Sequence, residues 1–291
     1  MIDNFSKKTK MESSEKITYI GTANLGTNYG PNFNSKIFPK SEIYELLHRI
    51  ADDPRIYIDT AIAYKNAHAL IGEFAPSILN NKITTKILLK RNSDNKSVIK
   101  SIKNSLTNTK QEIFYAVMLH NTDVVNQENL LEIIDGLNLS VKLGLANHIG
   151  ISCYSAEELI EIKSQFNSLD HFQLPESILN QENMNNSKLL EFSKSKNSIY
   201  VRSIFLQGLL LQNTSNLPLY FQAALEDFVN FEKYCLLNNI SKPKLCIDYA
   251  NSLKWAAGIV AGVSNLEEYE QLISNIYSEP KIRIFPKFSV D

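Results

Sequence analysis

Eight short runs rich in Val, Ile and Tyr recur along this chain, each bounded by polar turn residues: Ile17–Gly21, Arg55–Asp59, Ile83–Lys86, Ile113–His120, Ile149–Ser152, Phe172–Leu174, Ile199–Ser203 and Gly258–Ala261. Several are continuously apolar rather than alternating, as strands read when both faces of a parallel sheet are covered. Stretches of helical period lie between them. Ser41–Ile50 places Ile43, Leu46, Leu47 and Ile50 on one face, with Ser41 as the expected N-cap. Asn129–Leu143, Ser155–Phe166 and Asn265–Ile276 read the same way, and Ser155 with Glu158 has capping-box spacing. Strand then helix, about eight times over, predicts a (β/α)8 TIM barrel; a doubly wound open sheet is the alternative that gives the same alternation. The widest gap, Ser203 to Gly258, holds helical stretches near Ala223–Leu237 and Pro243–Trp255 and leaves length for a long loop over the barrel mouth.

The 291 residues fit one such barrel, which commonly takes about 250. The polar residues 1–16 read as a flexible N-terminal tail and 17–291 as a single domain. With 30 Lys and Arg against 31 Asp and Glu, the formal charge is −1, which argues against a partner that must be gripped through its phosphates, so no nucleic acid is expected. No apolar run is long enough to span a membrane, and no signal-peptide core precedes the first strand. Cys153, Cys235 and Cys246 are too few and too far apart for a disulfide framework, so a reduced, cytoplasmic setting is expected. His68, His148 and His171 do not form a compact ligand set, and no metal is expected.

What points to chemistry is where polar groups end the apolar runs. The second run ends in Asp59, the third in Lys86 and the fourth in His120, with Tyr64 in the loop after Asp59. In a barrel the carboxyl ends of the strands converge on one face, so these four would meet at one mouth. Taken singly each has an ordinary explanation: a turn carboxylate, a solvated lysine, a structural histidine, an amphipathic tyrosine. Their placement on consecutive strands is what favours function. A phenol donates a proton more readily beside an ammonium, a carboxylate orients that ammonium, and an imidazole can hydrogen-bond a carbonyl oxygen where negative charge develops.

At these residues the sequence resembles the aldo-keto reductase family over roughly Ile17–Ile276, possessing segments that match in order: Gly21-Thr-Ala-Asn-Leu-Gly26, Ile58-Asp-Thr-Ala-Ile-Ala-Tyr64 with Leu70-Ile-Gly72, Thr85-Lys86, Leu119-His-Asn121, Gly150-Ile-Ser152, Gln173-Leu-Pro175, Ser203-Ile-Phe-Leu-Gln-Gly208 and Gly262-Val-Ser-Asn265. The resemblance implies the barrel and an oxidoreductase moving hydride between a nicotinamide and a small carbonyl or alcohol. It implies Tyr64 as general acid, Asp59 and Lys86 as its tuning pair, and His120 orienting the carbonyl. Thr22 lies in the opening cofactor segment. Ser152 and Gln173 match contacts to the carboxamide, Ser203 and Leu206 the segment along the pyrophosphate, and Ser264 and Asn265 the loop at the adenosine 2′-phosphate. Cys153 stands where many relatives carry Asn. Glu268 stands where many NADPH-dependent relatives carry a basic residue, so NADP(H) follows from the resemblance while the carboxylate leaves NAD(H) open as the alternative. Glu176-Ser177 replaces an aromatic-Asn pair. The segment Arg202–Leu210 resembles a bacterial carbohydrate-pathway subgroup and implies a sugar-derived substrate. His171, two residues before Gln173, is a candidate substrate contact. The oligomeric state is not legible. A cofactor-binding sensor or interaction subunit without turnover is the rival from another class; a Schiff-base lyase or isomerase on Lys86 is a third reading, opposed by the neighbouring Asp59 and Tyr64.

Overall fold

A computed structural model of the chain describes residues 16–25, 37–90, 93–120 and 127–288. Eight parallel strands close in sequence order into a barrel: β1 (Ile17–Gly21), β2 (Ile56–Ala61), β3 (Ile83–Ile87), β4 (Phe114–Leu119), β5 (Ala146–Ser152), β6 (His171–Pro175), β7 (Ser198–Arg202) and β8 (Gly258–Gly262). The ring closes through β1 and β8, from Ile17 beside Gly258 to Gly21 beside Gly262. Closure removes the open-sheet alternative and leaves no edge strand. All eight apolar runs are strands, and their branched side chains are buried between barrel and helices. The tail 1–16 falls almost wholly outside the described residues, as do Gly26 and Asn121.

The helices are α1 (Lys40–Asp52), α2 (Ala67–Phe74), α3 (Asn95–Thr109), α4 (Gln127–Lys142), α5 (Ala156–Gln165), α6 (Ser187–Ser193), α7 (Leu225–Leu237), α8 (Lys242–Ser252) and α9 (Leu266–Tyr277). Helix α1 buries the four residues its period selects, Ile43, Leu46, Leu47 and Ile50. Its start corrects the Ser41 expectation: the helix begins at Lys40; Pro39, two residues before Ser41, occupies the N-cap position; and no side chain caps it. Proline's fixed φ suits that entry. Ser155 does cap α5 by accepting from the Glu158 amide, while the Glu158 carboxylate reaches back to the Tyr154 amide.

Gly150 shows how tightly the barrel is drawn. A Cβ there would sit 1.4 Å from the His171 carbonyl oxygen of the next strand, so only glycine permits the approach. After β7 the chain does not enter a helix directly. It runs through three 3-10 turns between Leu209 and Ala224 before α7, and the first part of this segment overhangs the carboxyl ends of the strands. Among the described residues no helix is long and apolar enough to cross a membrane.

Candidate active site

Register brings the polar strand ends together. Gly21 pairs with Asp59 and Ala61 with Lys86, so Asp59 and Lys86 stand at the same end of β2 and β3. The Lys86 ammonium donates to both carboxylate oxygens of Asp59, at 2.7 and 2.5 Å, and both side chains are almost fully buried. A buried pair of this kind needs its remaining lone pairs satisfied. Gln173 from β6 does so: its amide nitrogen donates to Asp59 Oδ1 and its oxygen accepts from Lys86 Nζ at 3.3 Å. Thr22 anchors the same turn from below, its hydroxyl and amide both donating to the Asp59 carbonyl at 3.1 and 3.0 Å.

Tyr64 follows in the turn between β2 and α2, held by its amide on the Ala61 carbonyl at 3.0 Å. The Lys86 ammonium lies 5.5 Å from the centre of its ring. His120, just past β4, meets the Tyr64 ring edge-on at 6.1 Å. All four residues line one cavity of about 490 Å³. Burial, then the Lys86 charge, pushes His120 down to about 4, so its imidazole is neutral near pH 7. Its Nδ1 is buried and has no hydrogen-bond partner among the described residues.

Tyr64 lines the same cavity. Its phenol is raised well above the usual tyrosine range, first by burial and second by the Asp59 charge. Lys86 is ion-paired with Asp59 at 2.5 Å. The cation that does lower Tyr64 is Arg202, at the end of β7. Arg202 lines the cavity without a role assigned from the sequence. The available signal was a charged residue ending an apolar strand.

Of the candidate cofactor residues, Ser152, Gln173, Ser203, Ser264 and Glu268 line this cavity, with Asn24, Tyr154 and Gln207 as lining residues the sequence did not single out. The other three are placed off its wall. Thr22 faces the β1–β2 junction, Leu206 packs on the apolar core, and Asn265 caps α9 by accepting from the Glu268 amide at 2.8 Å. Glu268 Oε2 in turn accepts from the Ser264 amide at 2.7 Å. His171 lies toward the amino ends of the strands, packed on Tyr200 at 4.6 Å, and is not a cavity residue.

The cavity suits an extended dinucleotide in its donors. It runs continuously from the Asp59–Lys86 end to Ser264 and Glu268. Between them Ser203, Leu206, Gln207 and Gly208 all have positive φ, and among the described residues the amides of Ile204, Phe205 and Gln207 donate to no backbone carbonyl. Successive turns of this kind present N–H groups to anions. Among the described residues no three His, Cys, Asp or Glu side chains are placed to hold a metal. The three cysteines are free and buried, and burial pushes the Cys153 thiol far up, away from thiolate chemistry.

No curated protein matches the chain in sequence. Solved structures of similar fold include a putative aldo-keto reductase from Pseudomonas aeruginosa, at 15 % identity and TM-score 0.61, covering 89 % of this chain and 88 % of that one. The holo form of aldo-keto reductase AKR11C1 from Bacillus halodurans is 15 % identical with TM-score 0.69, covering 91 % and 87 %. The thermostable aldo-keto reductase Tm1743, solved with the inhibitor epalrestat, is 18 % identical with TM-score 0.65, covering 90 % of each chain. The sequence model of the Aldo/keto reductase family matches residues 18–280, so the chain belongs to that family and is a nicotinamide-dependent oxidoreductase.

Proposed function

We propose that this enzyme reduces a small polar, sugar-derived carbonyl, with Tyr64 as the general acid. The observation that carries the reading is the gathering of Tyr64, His120 and the buried Asp59–Lys86 pair on one cavity wall. The reduced nicotinamide, when bound, supplies hydride to the carbonyl carbon. As the C=O electron pair moves onto oxygen, Tyr64 gives that oxygen its proton. His120, neutral, donates a hydrogen bond to the same oxygen without competing as an acid. Asp59, Gln173 and Lys86 hold the wall behind Tyr64 in place.

For the cofactor, the family resemblance puts the adenosine 2′-position near Ser264 and Asn265. There the Glu268 carboxylate already occupies the Ser264 amide, and the Asn265 side chain occupies the Glu268 amide. A 2′-phosphate would meet a negative charge and two engaged donors, whereas a free 2′-hydroxyl can donate to that carboxylate. NAD(H) is therefore the preferred cofactor in this reading. We read 17–291 as one folding unit working in the cytoplasm.

Paired calorimetric titration with NAD+ and NADP+ tests the cofactor, with tighter NAD+ expected. Stopped-flow absorbance of the bound reduced cofactor against aldoses, ketoses and nucleotide sugars tests the reaction. Failure to bind either cofactor at millimolar concentration overturns the reading.

A further inference from the structure

A carboxyl without a cation is buried behind the cavity. Glu176 is the first residue past β6 and is 2 % exposed. Its Oε1 accepts from the Tyr249 hydroxyl of α8 at 2.7 Å, and its Oε2 accepts from the Asn183 side-chain nitrogen at 3.0 Å. The Asn183 side-chain oxygen accepts in turn from Asn186, the N-cap of α6, which fixes the nitrogen toward Glu176. The groups that face the carboxyl are therefore Tyr249 from α8 and Asn183 from its own loop, with the Glu182 carboxylate felt from the same loop. The neighbour of Tyr249 on α8, Asp248, is paired with Lys244 at 2.7 Å. Strand β7 meets Glu176 through main chain: the Glu176 amide donates to the Arg202 carbonyl at 3.1 Å. The same node holds the C-terminal segment, since the Tyr249 ring meets Phe285 edge-on at 5.4 Å and Gln181 donates to the Pro286 carbonyl at 2.7 Å.

Burial favours the neutral carboxyl and the two donors favour the ionised one. Burial wins and raises Glu176 from 4.5 to about 7, so both forms are present near neutral pH. The two forms do not bond alike. Ionised, the group accepts from both Tyr249 and Asn183. Neutral, it carries a proton that the Asn183 nitrogen cannot take, so the proton lies on Oε1 and Tyr249 turns from donor to acceptor. The ionised form also leaves a charge buried without a counter-ion, and parting the loop from α8 to admit water relieves that cost. We propose that Glu176 is a proton-linked positioning residue: neutral, it closes the β6–α6 loop and the C-terminal segment onto α8 and steadies the β7 end of the cavity; ionised, it loosens them and weakens cofactor binding. The path to the cavity is short, because Arg202, whose carbonyl takes the Glu176 amide, lines it.

This inference rests on the reading of the cavity as the cofactor site, and its test separates the two. Trp255, the one tryptophan of the chain, is 2 % exposed and donates from Nε1 to the Asn183 carbonyl at 2.7 Å, so its emission reports the clasp with no cofactor present. Titrated from about pH 5.5 to 8.5, the free protein is expected to show a step in Trp255 emission with its midpoint near 7. Calorimetry with NAD+, whose own groups do not ionise in that range, is expected to find binding about threefold or more weaker above the step than below it. By reciprocity, saturating NAD+ then raises the Trp255 midpoint by about half a pH unit or more. Glu176→Gln, which keeps the neutral form's shape and cannot ionise, is expected to flatten both curves. Tyr249→Phe, which withdraws a donor from the ionised form, is expected to move the step upward. A flat Trp255 titration in wild type, a step that survives in Glu176→Gln, or NAD+ binding of equal strength on both sides of the step overturns the inference. Absence of NAD+ binding at every pH, with a Trp255 step that disappears in Glu176→Gln, would instead overturn the cofactor reading of the cavity and leave the clasp standing.

Discussion

The barrel interior holds two polar clusters, and they differ in what they are joined to. At the carboxyl ends of the strands, Asp59, Lys86, Gln173, Tyr64 and His120 border an open cavity. Toward the amino ends, Tyr19, Tyr57, Tyr115, Tyr200, His148 and His171 pack ring against ring, with Tyr19 and Tyr200 edge-on at 4.8 Å and Tyr115 and His148 at 4.8 Å. Both clusters carry strongly displaced groups. Burial pushes His171 down to about 3, further than His120 at about 4, and raises Tyr19 as it raises Tyr64. Displacement alone therefore does not mark the reacting groups. The amino-end cluster fills the barrel as a plug, whereas the carboxyl-end cluster has room beside it for two reactants. Aromatic rings that stack on one another satisfy a core; an ion pair beside a cavity does not fill one.

Substitutions should separate the two. Tyr64→Phe is expected to lower turnover by about 10²–10⁴-fold, the usual worth of a positioned general acid, while leaving cofactor affinity in place. Steady-state rates and a cofactor titration read this, and undiminished turnover would remove Tyr64 from the mechanism. Lys86→Met leaves the Asp59 carboxylate buried and uncompensated, so denaturant unfolding should show a loss of about 3–5 kcal/mol together with activity. Tyr200→Phe removes one hydroxyl from the plug. Unfolding should register about 1 kcal/mol of lost stability, with turnover within about twofold of wild type, because the change is confined to packing remote from the cavity. A larger effect on turnover than on stability would break the distinction between plug and site.

The smallest effect is on pH dependence. His68 and His120 are held at about 4 and His171 at about 3, all below the unfolded value of 6.5. The unfolded chain therefore binds more protons between those limits, and stability should fall as pH drops from about 6.5 towards 4. Glu176 acts oppositely. Burial raises it from 4.5 to about 7 despite hydrogen bonds from Tyr249 and Asn183, so its contribution is present below 4.5 and is lost as pH rises through 7. Melting curves between pH 5 and 8 should show the histidine slope flattened in His171→Asn and the decline towards pH 7 flattened in Glu176→Gln.

The strands were legible because burial on both faces leaves an unbroken apolar run, and the site was legible because Asp59, Lys86 and His120 interrupt three such runs at one end. Helices α2, α3 and α6 were not singled out. Helix α2, Ala67–Phe74, is apolar on most sides, and α3 buries Ser105 and Thr109 beside Val98, Ile102 and Leu106, so neither shows a clean stripe. Helix α6 buries only Leu189. The direction of the Tyr64 shift was hidden because it depends first on burial, which only the folded packing sets. The placement of Thr22, Leu206 and Asn265 away from the cavity was hidden for a similar reason: adjacent residues in a turn face opposite ways, and no spacing rule says which.

Gln173 has a consequence that reaches beyond the site. One carboxamide on β6 clasps partners on β2 and β3, on the far side of the ring, so its two bonds survive only while the barrel keeps its diameter. Any swelling of the cylinder, by heat or denaturant, unlatches the wall behind Tyr64 before a helix need unwind. The geometry of this candidate site is thus a gauge of barrel girth.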